Sequence, residues 1–152
     1  MKNNSFTVAV LGAGNIGSAV IERLLEVDNE VLNLSLSKVL VSDLSKERDI
    51  DGGLLTTDFD EILNDENIDL VIEVLGGVEP GKGYIKDLLE SGKSVITANK
   101  DIVADCGSEL IQIAQKNNVC LYFEAAVAAG IPVLKPLIES LRGEELTRVA
   151  GI

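Results

Sequence analysis

The sequence predicts a doubly wound α/β fold, a mainly parallel sheet with helices on both faces. Three observations predict it. Short apolar or β-branched runs alternate with stretches of helical period at least five times along 152 residues, a pattern that calls for right-handed crossovers between parallel strands. Hydrophobic residues make up 46% of the chain and aromatics only 3%, so the core must be built from Val, Ile, Leu and Ala. Finally, the run Phe6 to Leu11 leads without a break into Gly12-Ala13-Gly14-Asn15-Ile16-Gly17, and then into an apolar pattern of helical period at Ile16, Ala19, Val20 and Leu24. That order is strand, tight turn, helix.

The elements follow in order. The first helix fades in the polar stretch Glu26 to Glu30, and a second strand is predicted near Lys38-Val39-Leu40-Val41, ending at Ser42-Asp43. Leu54-Leu55-Thr56 reads as a short strand, and Asp58-Phe59-Asp60-Glu61 has the form of a capping box opening a small helix. Ile68 to Leu75 is a nearly unbroken apolar run, interrupted by Asp69 and Glu73, that reads as a central strand ending at Gly76-Gly77. Pro80 suits the first position of a helix running to about Ser91, with Gly92 as its stop. Ser94-Val95-Ile96-Thr97 is the next strand and delivers Ala98-Asn99-Lys100 to the same sheet edge. A helical stretch to about Lys116 precedes a strand from Cys120 to Glu124, which places Cys120 in the core. The loop Ala125 to Gly130 leads to a helix with Pro132 in its first turn and Gly143 past its end, and a last strand starts near Leu146. There is no internal repeat or linker, so residues 1–152 are expected to form one domain.

The glycine fingerprint gives the fold a purpose. Gly12 allows the tight turn, Gly14 lets a pyrophosphate approach the backbone, and Gly17 lets the helix pack close to the strand. The N–H groups and positive dipole end of that helix then face the phosphates, so the expected architecture is Rossmann-like and the expected ligand a dinucleotide. Asp43 lies 26 residues beyond Gly17, somewhat past the usual place of a ribose-binding acid; the competing reading is an ordinary solvated turn. The loop with Lys46 and Arg48 could accept a 2′-phosphate that Asp43 would repel, which leaves NAD and NADP both open. Gly76-Gly77 at a strand's carboxyl end could lie against a flat ring or form a simple turn. Glu124, an acid ending an apolar strand, needs either a cation or a cluster of backbone N–H groups to compensate it. Glu73 raises the same question without an answer.

Composition excludes several classes. Acids outnumber bases 25 to 13, for a net charge of −12, the wrong sign for a nucleic-acid surface. With no histidine, imidazole bases, Ser-His-Asp chemistry and the usual catalytic zinc sites are absent from this chain. Cys106 and Cys120 have neither the number for a disulfide framework nor the spacing of a zinc or redox motif. No apolar run approaches roughly 20 residues and no signal peptide is visible, so a cytoplasmic protein without a membrane partner is expected.

Four motifs in this order and spacing resemble the homoserine dehydrogenase family: Gly12-Ala13-Gly14-Asn15-Ile16-Gly17, Glu73-Val74-Leu75-Gly76-Gly77-Val78-Glu79-Pro80, Thr97-Ala98-Asn99-Lys100, and the stretch from Phe123 to Pro132. The resemblance covers nearly the whole chain. It implies the NAD(P)-binding domain of an enzyme that interconverts L-aspartate 4-semialdehyde and L-homoserine, on the route to threonine, methionine and isoleucine. It implies cofactor contacts from residues 12 to 17, Asp43, Arg48, Gly76, Gly77 and Thr97, with Lys100 beside the nicotinamide and the amino-acid substrate, aiding proton transfer or orientation. It also implies that Glu124, with the backbone carbonyls of Val127, Ala129 and Ile131, holds a monovalent cation such as sodium, for which oxygen ligands are suitable. Ser42 stands where many members carry an arginine, which weakens the case for strong NADP preference. The substrate-binding domain, through which a homo-oligomer would form, is expected to lie beyond this sequence. The alternative is a free-standing NAD(P)-binding module that senses or regulates without chemistry.

Overall fold

The computed structural model describes residues 5–26, 33–128, 131–140 and 148. Among them, six strands form one all-parallel sheet: β1 (Phe6–Leu11), β2 (Leu34–Leu40), β3 (Leu55–Thr56), β4 (Leu70–Glu73), β5 (Ser94–Thr97) and β6 (Leu121–Tyr122). The helices are α1 (Asn15–Glu26), α2 (Asp60–Leu63), α3 (Gly81–Glu90), α4 (Lys100–Lys116) and α5 (Leu134–Ser140). The strand order is β3-β2-β1-β4-β5-β6, so the winding reverses between β1 and β4, and a crevice opens outside their carboxyl ends.

Alternation along each strand feeds two cores. Ala9, Leu11, Val71 and Val95 face Ile62 of α2, Ile85, Leu88 and Leu89 of α3, and Ile102, Leu110 and Ala114 of α4. Their neighbours Val10 and Val39 turn to the other face and meet Ile21 of α1. Each fully buried aliphatic side chain contributes about 1.5–3 kcal/mol relative to exposure, so the two faces together anchor all the crossovers that frame the crevice.

The differences from the sequence reading lie mostly at edges. β2 begins at Leu34, earlier than expected, because Leu34, Ser35 and Leu36 pair with β1 alone among the described residues; β3 joins β2 at Val39 and Leu40. A one-sided strand can carry the serines that the core cannot. The register also slips there, with Val8 opposite Leu36 and Ala9 opposite Lys38. No capping box forms before α2: Asp58 Oδ1 accepts from the Asp60 N–H, while Glu61 turns away to pair with Lys38 Nζ at 2.9 Å. Cys120 is exposed, because β6 pairs with β5 alone among the described residues. Pro80 caps α3 rather than opening it, and Pro132 lies two residues before α5. Gly143 and the strand expected from Leu146 lie outside the described residues.

Candidate functional site

The three fingerprint glycines are separated by their surroundings. Gly12 has φ of +104°, which L side chains rarely adopt, and a Cβ there would lie 3.2 Å from the Val74 carbonyl oxygen. At Gly17 a Cβ would come within 2.1 Å of the Gly12 carbonyl oxygen, so α1 packs directly on the loop that precedes it. Gly14 is different: a Cβ would meet no atom within 4 Å. No neighbouring atom requires glycine there, and the space over the loop is open.

That space is part of a cleft of about 550 Å³ at the winding reversal. Gly12, Ala13 and Gly14 form its floor, Val74, Leu75 and Gly76 the wall from β4, and Asp43, Lys46 and Arg48 the far rim. Gly77, also with positive φ at +77°, follows on the β4 side, and a Cβ there would likewise meet no atom within 4 Å. Asn15 opens α1 and lines an adjoining hollow with Ser18 and Glu22, whereas Ile16 is exposed on the outer face of α1 beside Ala19 and Val20.

The rim is organised around Asp43. Its Oδ1 accepts from the Ser45 N–H at 2.8 Å and the Ser45 hydroxyl at 2.7 Å, and these bonds hold the carboxyl below its ordinary range. Arg48 turns its Nη1 inward to the carbonyls of Asp43 and Lys46, at 2.8 and 2.9 Å, while its buried Nε has no partner within the described residues. The guanidinium therefore braces the loop from behind while the Asp43 carboxylate stays at the surface. A negative group at this position can accept ribose hydroxyls and repels a 2′-phosphate.

Lys100, the first residue of α4, does not itself line this cleft; it follows Asn99, whose Nδ2 bonds the carbonyls of Leu75 and Gly77. The Lys100 side chain is 77% exposed and its Nζ lies 3.4 Å from Asp101, a surface pairing of little energetic weight. Thr97, by contrast, is fully buried, with its hydroxyl bonded to the Glu73 carboxyl. The side chain of Thr97 is thus held away from the cleft that Gly14 and Gly76 line.

Glu124 answers the question that the sequence left open. Its carboxylate accepts three backbone N–H bonds, from Val133 at 2.6 Å and from Leu134 and Lys135 at 2.9 Å, and so caps the start of α5. These bonds lower its pKa despite the opposing desolvation. Val127 and Ile131 flank this turn, and Ala129 lies outside the described residues.

Sequence reasoning did not find Thr57 and Tyr84, both lining the cleft. Tyr84 stacks on Phe59, ring centroids 3.9 Å apart and planes at 19°, which fixes an aromatic wall opposite the glycine loop. No local motif marks either residue; only the crossing of α3 over the sheet brings Tyr84 to the crevice. Glu73 did carry a signal, an acid in an apolar strand, but its partner Thr97 lies 24 residues away.

Known proteins place this geometry. The family model described as the homoserine dehydrogenase NAD-binding domain matches residues 12–124. The chain is 46% identical to the homoserine dehydrogenase of Mycobacterium tuberculosis and 42% identical to that of Bacillus subtilis, with 95% of the chain aligned to 34% and 35% of those proteins. It therefore spans about a third of the length of the curated relatives it matches. The crystal structure of a homoserine dehydrogenase from Thiobacillus denitrificans superposes with a TM-score of 0.81 at 36% identity, over 91% of this chain and 33% of that one. With its glycine loop, its strand order and its relatives in agreement, the chain belongs to the family of homoserine dehydrogenase NAD-binding domains.

Proposed function

We propose that this chain binds NAD(H) or NADP(H) and forms the cofactor half of an enzyme that reduces L-aspartate 4-semialdehyde to L-homoserine. The observation that carries the proposal is the open space over Gly14, at the winding reversal, between the N-terminus of α1 and the β4 loop. In this reading the pyrophosphate lies over residues 12 to 17, the adenosine ribose meets Asp43, and the nicotinamide extends past Gly76 and Gly77 towards Lys100. When bound, the nicotinamide would supply a hydride to the aldehyde carbon, and the alkoxide so formed would need a proton. Lys100, exposed and next to the Asn99 that binds the Gly77 carbonyl, would support that step by charge or proton donation.

The relatives' greater length supports a further domain that supplies the substrate pocket and dimer contacts, with residues 1–152 forming the cofactor unit. Cofactor use is proposed as dual or NAD-leaning, because Asp43 faces the rim and Arg48 is turned inward. Three N–H bonds occupy most of the roughly four lone-pair sites of the Glu124 carboxylate, leaving room for one cation contact. A sodium ion held there with the carbonyls of Val127, Ala129 and Ile131 belongs to the same proposal, as do a cytoplasmic location and a role in threonine and methionine synthesis.

The test pairs two measurements. Calorimetry on residues 1–152 should detect NADH or NADPH binding, with no turnover of homoserine above background, since one wall of a site cannot hold substrate within the roughly 3–3.5 Å that hydride transfer needs. In the full-length protein, Lys100→Ala should lower kcat far more than it weakens cofactor binding. Turnover by residues 1–152 alone, or an unimpaired Lys100→Ala enzyme, would refute the assignment.

A further inference from the structure

We infer that Glu73 is a positioning residue for the nicotinamide end of the cleft, acting through Thr97 and Asn99 on the Gly76-Gly77 loop and on the start of α4. This rests on the dinucleotide reading above.

Glu73 ends β4 and is fully buried. No lysine or arginine pairs with it; the ion pairs among the described residues are Lys38–Glu61, Lys82–Asp105 and Lys100–Asp101, all at the surface. Its compensation is a closed circuit of hydrogen bonds. Oε1 accepts the Leu75 N–H at 2.8 Å, and Oε2 binds the Thr97 hydroxyl. The Thr97 oxygen also accepts the Asn99 N–H at 3.0 Å while its O–H donates to Glu73. Asn99 then closes the ring, donating Nδ2 to the carbonyls of Gly77 at 2.6 Å and Leu75 at 3.1 Å. Its Oδ1 caps α4 by accepting from Asp101 and Ile102. The start of α3 rests on the same group: a Cβ on Gly81 would lie 3.3 Å from Glu73 Oε1.

Every segment that frames this end of the cleft is therefore tied to one carboxyl. The loop after β4, the end of β5 and the residue before Lys100 cannot shift independently. A buried carboxyl is costly compared with an apolar side chain of the same volume, so its return is a single fixed arrangement rather than stability. A glutamine replaces it only in part: with its one acceptor kept for the Leu75 N–H, its NH2 meets the Thr97 oxygen and the Thr97 proton loses its acceptor, and with the amide turned over the NH2 faces the Leu75 N–H.

The test separates the two ends of the ligand. ADP-ribose carries the adenosine and pyrophosphate but no nicotinamide, whereas NADH carries all three. In Glu73→Gln, calorimetry should give an ADP-ribose Kd within about twofold of wild type and an NADH Kd weaker by about tenfold. Thr97→Val, which breaks the same circuit without touching the carboxyl, should show the same split and serves if Glu73→Gln does not fold. A general loss of structure would weaken both ligands alike. Equal losses for the two ligands, or no loss for either, overturn the proposal while the cleft assignment stands. If the wild-type chain binds neither ligand, the cleft assignment falls and the proposal with it.

Discussion

Gly14 and Gly17 make opposite demands on the same turn, and substituting them separately should divide binding from folding. A Cβ at Gly17 would sit 2.1 Å from the Gly12 carbonyl oxygen and 2.8 Å from its carbon, both backbone atoms that no rotamer change can move. For Gly17→Ala, the start of α1 must withdraw by about 1 Å, and overpacking of this kind costs typically 1–3 kcal/mol. Because both atoms are backbone, the upper part of that range, about 2–3 kcal/mol, applies, and the helix propensity gained by replacing an internal glycine offsets about 1 kcal/mol of it, leaving a net loss of about 1–2 kcal/mol. For a domain of this size that corresponds to a fall in Tm of about 2–8 °C. At Gly14 the Cβ of a valine would meet no atom within 4 Å and the backbone needs no unusual φ, so the Tm of Gly14→Val should stay within about 2 °C of wild type. Its branched side chain would fill the space over the loop, and dinucleotide affinity should fall by more than about tenfold. Thermal circular dichroism and calorimetry on both variants decide the matter. A Gly14→Val protein that binds NADH normally, or a Gly17→Ala protein that melts with wild type, would refute the division of roles.

Three further outcomes are expected. Asp43→Asn should shift the ratio of NADPH to NADH affinity upward by several-fold, since it removes the charge that opposes a 2′-phosphate; paired titrations measure it, and an unchanged ratio would show that Asp43 does not face the ribose. Burial raises the Glu73 pKa in the folded chain above its unfolded value, so the proton binds more tightly folded than unfolded. Its contribution to stability is then fully present below the unfolded pKa and declines as pH rises through the folded one. The Tm penalty of Glu73→Gln should accordingly be largest at about pH 4 and shrink towards about pH 8, and a penalty that grows with pH would contradict this. Glu124→Ala removes the acceptor for three N–H groups at the start of α5 and should cost about 1–3 kcal/mol by denaturant unfolding; a loss confined to sodium-containing buffer would instead assign the carboxylate chiefly to the cation.

The sequence by itself determined the features that depend on neighbours along the chain. Period-2 and period-3.6 patterning set the order of strands and helices, and the spacing of Gly12, Gly14 and Gly17 specified a turn whose three positions have three different tolerances. The family followed from motifs read in order, and the matching family model and relatives agree with it. Tertiary structure decided whatever depends on residues brought together from afar. Strand order is one such property: β4 lies beside β1 because the crossover places it there, and only that adjacency makes residues 12–14 and 74–76 two sides of one cleft. The hydrogen bonds from Arg48 Nη1 to the carbonyls of Asp43 and Lys46 are another, since no local pattern announces how a basic side chain folds onto its own loop. The three amides on Glu124 are a third, because they come from the return of the chain at residues 133–135. Glu73 was unreadable because its side-chain partner Thr97 comes from β5, and a buried carboxyl takes its meaning from the groups that satisfy it.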